Sequence, residues 1–425
     1  MQASTSSPGS KRTLFTRNFT LLLLGQAASL VGNYTLRFAL SMYVLEKTGS
    51  AGVFGGLLAL SMLPTILLTP LGGILADRVN RQKLMVALDA LSGLAVLAAG
   101  VLLGPGRELW VIGGLLVALS VLGAFESPTV QACVPQMLGG QNLMAGNAAV
   151  GQISAVSSLL TPFLGSALYA AVGLAPVVWG AAGCFFATAG LECFIRLKAP
   201  DARPAAGVWA ALRQDFAAGA HFLGRERPDV LKLLGLAALM NLLMAGVTTV
   251  GFPYLVRTVL ALPPLFYGAA ESLLGAGAIL GGVLAGRAGQ KAQSRRLADI
   301  LAAAGGCLVL IGLAFLLPLG RLARYGVLVG ALFCCQTGCT VFSICALAAI
   351  QACTPQQLMG RVMACVYTLS LCAQPLGQLL YGALFDLDRF CAAAGWVLLP
   401  TGLAVWAAGA ASRRFLQKFL QQLPQ

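Results

Sequence analysis

The segment "GGILADR" at residues 72–78 ends a long apolar run and recurs as "GGVLAGR" at 281–287. A second pair of segments repeats in the same order, with "QACVPQ" at 131–136 and "QACTPQ" at 351–356. The two separations, 209 and 220 residues, are similar. Matches in the same order at nearly constant spacing indicate an internal duplication. We therefore expect two related halves.

The composition is that of a protein dissolved in lipid. Of the 425 residues, 58% are hydrophobic and only 10% are charged, and the mean hydropathy is +0.84. Soluble domains carry about 25% charged residues. The net charge of +14 follows membrane topology, as shown below, and does not require nucleic-acid binding. The twelve cysteines lie mostly in apolar runs, so we interpret them as small hydrophobic residues and predict no metal site.

Twelve apolar runs are long enough to cross a bilayer, which takes about 20 residues per helix. Strands of a membrane barrel would instead alternate apolar and polar residues. The sequence therefore predicts an all-α integral membrane protein with twelve transmembrane helices in two pseudo-symmetric six-helix halves. The predicted spans are 19–40, 52–76, 84–104, 109–132, 147–171, 174–195, 231–256, 265–286, 297–318, 325–350, 362–384 and 391–411.

Basic residues predict how the spans are oriented. With the N-terminus inside, 21 of them lie on the cytoplasmic face and six on the opposite face, as the positive-inside rule requires. We expect both termini in the cytoplasm, in a bacterial inner membrane. A cleaved signal peptide is disfavoured because the first apolar run continues past Leu36. The predicted domains are a tail at 1–17, a half at 18–196, a middle loop at 197–230, a half at 231–412 and a tail at 413–425.

The middle loop contains apolar residues at helical spacing, namely Trp209, Leu212, Phe216 and Leu223. This pattern predicts a short amphipathic helix that lies on the cytoplasmic membrane surface. His221, the only histidine of the chain, falls in the same segment, and we expect it to be a surface residue.

Three segments carry a resemblance to a known family: "GGILADRVNRQK" at 72–83, "NFTLLLLGQAASLVGN" at 18–33 and "PLGQLLYGALFD" at 375–386. They resemble the major facilitator superfamily, in particular its macrolide-efflux and enterobactin-exporter-like branch. The resemblance implies secondary transport by alternating access, with the proton gradient as energy source and no cofactor. It also implies a cytoplasmic gating motif whose aspartate faces the start of the eleventh helix. The matching residues are Gly73, Asp77, Arg78, Arg81 and Lys83, with Arg361 at the start of span eleven.

A proline and a glycine follow each repeated hexapeptide, Pro162 with Gly165 in span five and Pro375 with Gly377 in span eleven. In exporters of this superfamily, small residues at such positions form a tight interface between the halves. The resemblance therefore implies that these four residues mediate inter-half helix packing.

The chain also departs from the family pattern. Thr161 and Ser166 replace the glycines that often flank this proline in exporters. Span four lacks the arginine that drug–proton antiporters often place there. Asn33 occupies a position in span one where branch members commonly have an aspartate, so one proton carrier is missing.

Ionisable and polar side chains within spans are candidates for coupling and substrate binding, because charge is costly in the membrane. Glu126 lies about 10 Å from the cytoplasmic end of span four, and we expect it to bind a proton or a cationic group. Glu271 in span eight is a second acid. Arg37 in span one either extends to the interface or pairs with Glu271, and Asn33 completes the candidates. The acids near cytoplasmic ends of spans are expected to be solvated: Asp89, Glu192 and Asp299.

The resemblance, together with the candidate residues, implies a monomeric proton antiporter that exports small amphipathic compounds such as drugs, macrolides or siderophore-like molecules. Its partners would be substrate, protons and membrane lipid. Uptake or facilitated diffusion of a small metabolite is the alternative. A polytopic membrane enzyme or lipid-handling protein is disfavoured because no catalytic motif accompanies the single histidine.

No phosphate-binding GxxxxGK[ST] loop is present, so ATP is not the energy source within this chain. Candidates to line a hydrophobic cavity are Met62, Met240, Met244, Phe252 and Tyr254.

Overall fold

The computed structural model describes residues 14–138, 142–197, 217–287, 297–355, 358–387 and 393–421. Within these ranges, twelve helices are long and apolar enough to cross a membrane, which confirms the predicted fold class. They are α1 Arg17–Thr48, α2 Ala51–Arg78, α3 Arg81–Leu102, α4 Glu108–Met137, α5 Asn142–Val172, α6 Leu174–Cys193, α7 Pro228–Val259, α8 Pro264–Arg287, α9 Leu297–Leu316, α10 Arg321–Cys353, α11 Met359–Asp386 and α12 Ala393–Gln421.

The ends of the first helices follow the local sequence. Thr16, Ser50 and Asn80 each precede a helix, and their side chains accept hydrogen bonds from backbone N–H groups of its first turn, as capping residues do. α1 ends at Gly49, whose φ of 58° lies in the left-handed region that glycine adopts without steric cost. Only Gly49 and Ser50 separate α1 from α2, so these helices form a tight hairpin.

The packing of the helices repeats between the two halves. In the first half α1 packs on α5, α2 on α4, and α3 on both α4 and α6. In the second half α7 packs on α11, α8 on α10, and α9 on both α10 and α12. These are the same pairings shifted by six helices. The duplication inferred from the repeated segments is therefore visible in the helix packing.

The halves meet where α2 packs on α11 and α5 packs on α8, and glycines allow both approaches. A Cβ atom on Gly52 of α2 would lie 2.6 Å from the Asp386 carboxylate of α11. On α8, a Cβ atom on Gly268 would overlap the backbone carbonyl of Pro162 on α5. Small residues at these positions bring the helix backbones together, which is how membrane helices gain packing energy.

Two sets of polar contacts join the halves at the end of the bundle where α1 ends and α2 begins, here called the latch end. In the first, the Asp386 carboxylate accepts hydrogen bonds from the Ala51 backbone N–H at 2.8 Å and from the Ser50 hydroxyl at 2.5 Å. An acid at the C-terminus of its own helix is unfavourable, whereas an acid facing the N-terminus of another helix is favourable. Asp386 is thus placed to stabilise contact between α11 and α2.

The second set of contacts at the latch end is centred on Glu46 of α1. Its carboxylate forms an ion pair with Arg257 of α7, in the other half. The Tyr169 hydroxyl of α5 donates a hydrogen bond to the same carboxylate at 2.6 Å. The Glu46 carboxylate therefore links helices α1, α5 and α7.

Helix α7 is not a regular α-helix throughout. It contains π-helical turns at Gly246–Gly251 and Leu255–Val259, a geometry that is often found at functional sites. Gly246 lies against Tyr381 of α11, and a Cβ atom on Gly251 would lie 2.7 Å from the Phe385 ring. The glycines of α7 therefore admit large aromatic side chains of α11.

The predicted amphipathic helix of the middle loop falls mostly outside the described residues, which include neither Trp209, Leu212 nor Phe216. The chain is helical over 217–221 and π-helical over Phe222–Glu226. Leu223 is buried in the protein core, so its predicted contact with the membrane surface is wrong. His221 is exposed, as expected, and its Nδ1 lies 3.8 Å from Glu226.

Candidate functional site

Three acidic side chains meet inside the first half, on three different helices. They are Asp89 of α3, Glu126 of α4 and Glu192 of α6. The Ser29 hydroxyl of α1 lies between two of them, 3.2 Å from Asp89 Oδ1 and 3.4 Å from Glu126 Oε1. The Asp89 and Glu192 carboxyl groups lie within hydrogen-bonding reach of each other. We call Ser29 and these three acids the carboxyl cluster.

The carboxyl cluster corrects one expectation from the sequence. Asp89 and Glu192 were expected to be solvated, yet both are 0% exposed. The positions of Asp89 and Glu192 near helix ends do not reveal that their side chains are buried. Each side chain points toward α1 rather than toward the water beyond the end of its helix. Asp299 does fit the expectation: its side chain is 53% exposed and pairs with Arg413 at 3.3 Å.

Within the part of the chain that the structure describes, the carboxyl cluster forms no ion pair with a basic side chain. None of the described ion pairs involves Asp89, Glu126 or Glu192. Nor do the described residues contain a group of three or more His, Cys, Asp or Glu side chains that could hold a metal ion. Three neighbouring carboxylates that form no ion pair are costly: two negative charges about 6 Å apart repel by roughly 3 kcal/mol even at an effective dielectric constant near 20. Protons are the cations best suited to relieve this repulsion.

Arg37 and Asn33, also predicted as site residues, form a separate polar group. Arg37 donates from Nε to Asn33 Oδ1 at 3.0 Å and from Nη2 to the Ser120 hydroxyl of α4 at 3.2 Å. Arg37 therefore neither extends freely to the interface nor pairs with Glu271, in contrast to both expectations. Although α4 lacks the arginine common in drug–proton antiporters, an arginine of α1 contacts it.

Glu271 lies apart from the carboxyl cluster, in the other half of the protein. The Tyr267 hydroxyl, one turn earlier on α8, faces its carboxyl group. The Tyr267 ring stacks on Phe38 of α1, with centroids 5.2 Å apart and planes inclined by 20°. Glu271 therefore lies beside a contact between the halves.

A cavity of about 550 Å³ lies within the second half, between α7, α10 and α11. Met240 and Met244 line it, as the sequence suggested, whereas Phe252 and Tyr254 pack elsewhere against aromatic rings. No acidic or basic side chain is among the described residues that line it. Its polar side chains are uncharged and include Asn241, Thr248, Gln336, Ser343 and Gln374.

The predicted gating motif spans the turn between α2 and α3. Arg81 begins α3 and ties this turn to α4, because its guanidinium donates to the Ala76 and Ala132 carbonyls, both at 2.8 Å. A Cβ atom on Gly72 would overlap the Ala124 backbone of α4, whereas Gly73 has open space beside it. Two further basic residues of the motif have exposed side chains: Arg78 and Lys83.

The predicted contact between the motif and α11 stays a prediction. Asp77 lies in the last turn of α2, and its side chain falls outside the described part of the chain. Arg361 is exposed in the first turn of α11. Leu358 precedes α11 and provides no side-chain cap, so the helix start retains backbone N–H groups that an acid can satisfy.

The proline–glycine positions are only partly at the interface between the halves. Pro162 contacts Gly268 of α8 across that interface. In contrast, Gly165 packs on α1, and Gly377 packs on α7, each within its own half. The expected inter-half role is therefore wrong for both glycines. Pro375 lies inside α11.

Residues 22–378 match the family model described as Major Facilitator Superfamily. The chain belongs to the major facilitator superfamily. This is a family of transporters, so the chain is a multi-pass membrane transporter and not an enzyme. The gating-motif turn, the duplicated halves and the twelve helices agree with this assignment.

Several known transport proteins are similar to the chain. The macrolide efflux protein A of Streptococcus pyogenes is 30% identical over 156 residues, which cover 36% of this chain and 38% of that protein. The multidrug efflux pump Tap of Mycobacterium tuberculosis is 27% identical over 393 residues and 86% of each chain. A crystal structure of the peptide transporter POT in complex with alafosfalin superposes with a TM-score of 0.74 over 98% of each chain, at 15% identity. This last likeness concerns the fold alone.

Proposed function

We propose that the chain is a proton-driven exporter of small amphipathic compounds, such as drugs, macrolides or siderophore-like molecules. It works by alternating access as a monomer in a bacterial inner membrane, with both termini in the cytoplasm and no cofactor. The names of the two efflux relatives support export, and the basic residues of the sequence support the orientation.

The observation that carries the proposal is the carboxyl cluster. Proton coupling requires a group that binds a proton inside the protein and releases it when its surroundings change. Glu126 is only partly buried, while Asp89 is fully buried, so the cluster extends from the partly covered face of α4 into the packed core. A proton that neutralises Glu126 relieves like-charge repulsion, and its loss restores that repulsion. The free energy of proton binding can therefore bias the arrangement of the helices that carry the cluster.

The cavity of the second half supports the substrate class. Its volume falls within the roughly 300–1,000 Å³ typical of small-molecule sites. Methionine side chains adapt to different apolar shapes, while the uncharged amide and hydroxyl groups hydrogen-bond polar substituents. Because no charged group is among the described residues that line it, the cavity favours amphipathic molecules, held by apolar and hydrogen-bonding contacts, over small ions.

The contacts at the latch end support alternating access. Asp386 and Arg257 join the halves where α1 meets α2. If the terminal end, where α1 begins, faces the cytoplasm, these contacts close the outer side of the protein. Transport then requires them to break and re-form in each cycle.

Growth inhibition tests the proposal. We expect an antibiotic-sensitive bacterium that expresses the chain to tolerate higher concentrations of macrolides and other amphipathic antibiotics. Cells expressing Glu126→Gln should be as sensitive as cells without the protein, while Asp299→Asn should protect like the wild type. Unchanged or increased sensitivity to every compound of the panel, with protein present in the membrane, would contradict export and favour uptake.

A further inference from the structure

We propose that the carboxyl cluster is a proton relay, in which Ser29 passes a proton between Glu126 and Asp89, and Asp89 shares it with Glu192. This inference rests on the proposed proton-driven transport and deepens it. It assigns proton-transfer roles to Ser29, Asp89 and Glu192, none of which is a site candidate in the sequence analysis.

The first argument is the hydrogen count at Ser29. Its hydroxyl is close to Asp89 Oδ1 and to Glu126 Oε1 but has only one hydrogen to donate. If both acids were ionised, one of them would face the hydroxyl without a hydrogen bond. If Glu126 carries a proton, Glu126 donates to Ser29 and Ser29 donates to Asp89. One proton therefore completes the hydrogen bonding of all three groups.

The second argument is the contact between Asp89 and Glu192. Their carboxyl groups lie within hydrogen-bonding reach, yet none of the described residues donates a hydrogen bond to Asp89 Oδ2 or to either carboxylate oxygen of Glu192. Both residues are 0% exposed, so bulk water does not reach these oxygens. Buried polar atoms are rarely left unsatisfied in proteins. A proton between the two carboxyl groups supplies the missing hydrogen bond.

The helices around the cluster bring few other titratable groups to it. Cys133 of α4 and Cys193 of α6 lie near Glu192, and Arg81 of α3 lies near Cys133. The Gln26 side chain of α1 faces Glu126. The guanidinium of Arg81 bonds the carbonyls of Ala76 and Ala132. The proton, rather than a basic side chain, is therefore the partner that the cluster requires.

The proton transfer from Glu126 through Ser29 to Asp89 keeps both hydrogen bonds of the Ser29 hydroxyl. The Glu126 carboxyl gives its proton to the Ser29 oxygen while the Ser29 hydroxyl hydrogen moves to Asp89. Glu126 becomes a carboxylate, Asp89 becomes a carboxylic acid, and Ser29 remains a neutral hydroxyl that now donates to Glu126. The hydroxyl of the protonated Asp89 then turns from Ser29 to Glu192. A carboxylate oxygen of Glu192 accepts the proton, so Glu192 becomes a carboxylic acid and Asp89 returns to a carboxylate.

The ends of the relay reach different parts of the protein. Glu126 is part-exposed on α4. Glu192 is the second-last residue of α6, beside the exposed Cys193, and its backbone carbonyl accepts a hydrogen bond from the Gln82 side chain at 3.2 Å. The relay therefore runs along the side of α1 that carries Ser29, toward the end of the bundle where α1 begins. It is separate from the substrate cavity, which lies in the other half.

The test compares two transport modes of the full-length protein in liposomes with radiolabelled erythromycin as probe. Uptake driven by a pH gradient needs proton movement, whereas erythromycin exchange at equal pH on both sides does not. We expect Ser29→Ala and Glu192→Gln to lower the driven rate about tenfold or more and to leave exchange at the wild-type rate. Ser29→Thr, which keeps the hydroxyl, should restore driven uptake, and Asp299→Asn should match the wild type in both modes. Equal driven rates in all variants, or a parallel loss of both modes, would overturn the relay.

A second measurement needs no transported compound. Infrared spectra of the protein in lipid nanodiscs, recorded across a pH series, report the C=O stretch of protonated carboxyl groups. We expect Glu192→Gln to change the pH midpoint of the remaining band by about one pH unit, because interacting acids titrate together. If wild-type protein does not move erythromycin but this coupling is present, the relay stands and the proposed substrate fails. A band whose midpoint is the same in both proteins shows independent acids and refutes the relay.

Discussion

Replacing Asp386 by asparagine should weaken the contact between the halves at the latch end. The carboxylate accepts one hydrogen bond from the Ala51 N–H and another from the Ser50 hydroxyl. Asparagine keeps one acceptor oxygen, loses the charge and presents an NH₂ group to one of the two donors. A net hydrogen bond to a charged group contributes about 1.5–3 kcal/mol. A loss of about 2 kcal/mol changes the ratio of two conformations roughly 30-fold.

The assay for this shift is a distance measurement between spin labels at the latch end. Arg107, between α3 and α4, and Arg321, at the start of α10, are exposed at this end of opposite halves. Labels should be introduced as unnatural amino acids, because the chain has twelve native cysteines. We expect Asp386→Asn to increase the population of longer distances relative to the wild type in lipid nanodiscs.

The matched control is Asp299→Asn, which removes one negative charge from an ion pair within a single half. It should leave the distance distribution as in the wild type. If Asp386→Asn also leaves the distribution unchanged, the Asp386 contact does not hold the halves together. If both variants broaden it equally, loss of charge rather than loss of the inter-half contact is responsible.

Three further predictions concern the gating motif and the topology. Asp77→Asn should favour the conformation that is open at the terminal end and should lower turnover with folding intact, because an acid facing a helix start contributes about 0.3–2 kcal/mol. Spin-label distances between the ends of α2 and α11 that match those of the wild type would contradict this prediction. Gly72→Ala should lower the thermal unfolding temperature because its Cβ would overlap the Ala124 backbone, whereas the methyl group of Gly73→Ala has open space and should not lower it. Equal unfolding temperatures of the two variants would show that α2 can move to admit the methyl group. A cysteine at Arg203, in the predicted cytoplasmic loop, should resist an impermeant thiol reagent in intact cells, and labelling there would reverse the predicted orientation.

The sequence predicted the helices well because a bilayer imposes one requirement on every span. About 20 apolar residues must be continuous, and this signal is independent of tertiary packing. The helices extend beyond these runs, as in α10, which begins at Arg321 rather than at residue 325, because polar residues continue a helix outside the apolar region. The π-helical turns of α7 were not predicted, since they depend on how Gly246 and Gly251 meet aromatic rings of α11.

The carboxyl cluster was only partly predictable. Glu126 stands out by its depth in span four, whereas the positions of Asp89 and Glu192 near helix ends favour contact with solvent, which the structure contradicts. Distance along a helix does not indicate which face is buried. A signal was present in the polar residues inside otherwise apolar spans, such as Ser29 in span one and Thr188 in span six, which are both buried.

The contact at Asp386 could not be predicted from the spans. The eleventh apolar run covers residues 362–384, which leaves this acid just outside the apolar segment. Only the antiparallel packing of α11 on α2 brings it to the Ala51 N–H. The repeated segments predicted two related halves, but not how those halves meet.

The central claim, that protons drive export through the carboxyl cluster, is tested most directly by erythromycin accumulation in everted membrane vesicles. A pH gradient, acidic inside, is imposed and then collapsed with a protonophore. We predict that wild-type vesicles accumulate the compound and release it on collapse. Vesicles with Glu126→Gln should show no accumulation, although the variant is inserted and still exchanges erythromycin at equal pH. Accumulation by Glu126→Gln at the wild-type level, or accumulation that persists without the gradient, would contradict the claim.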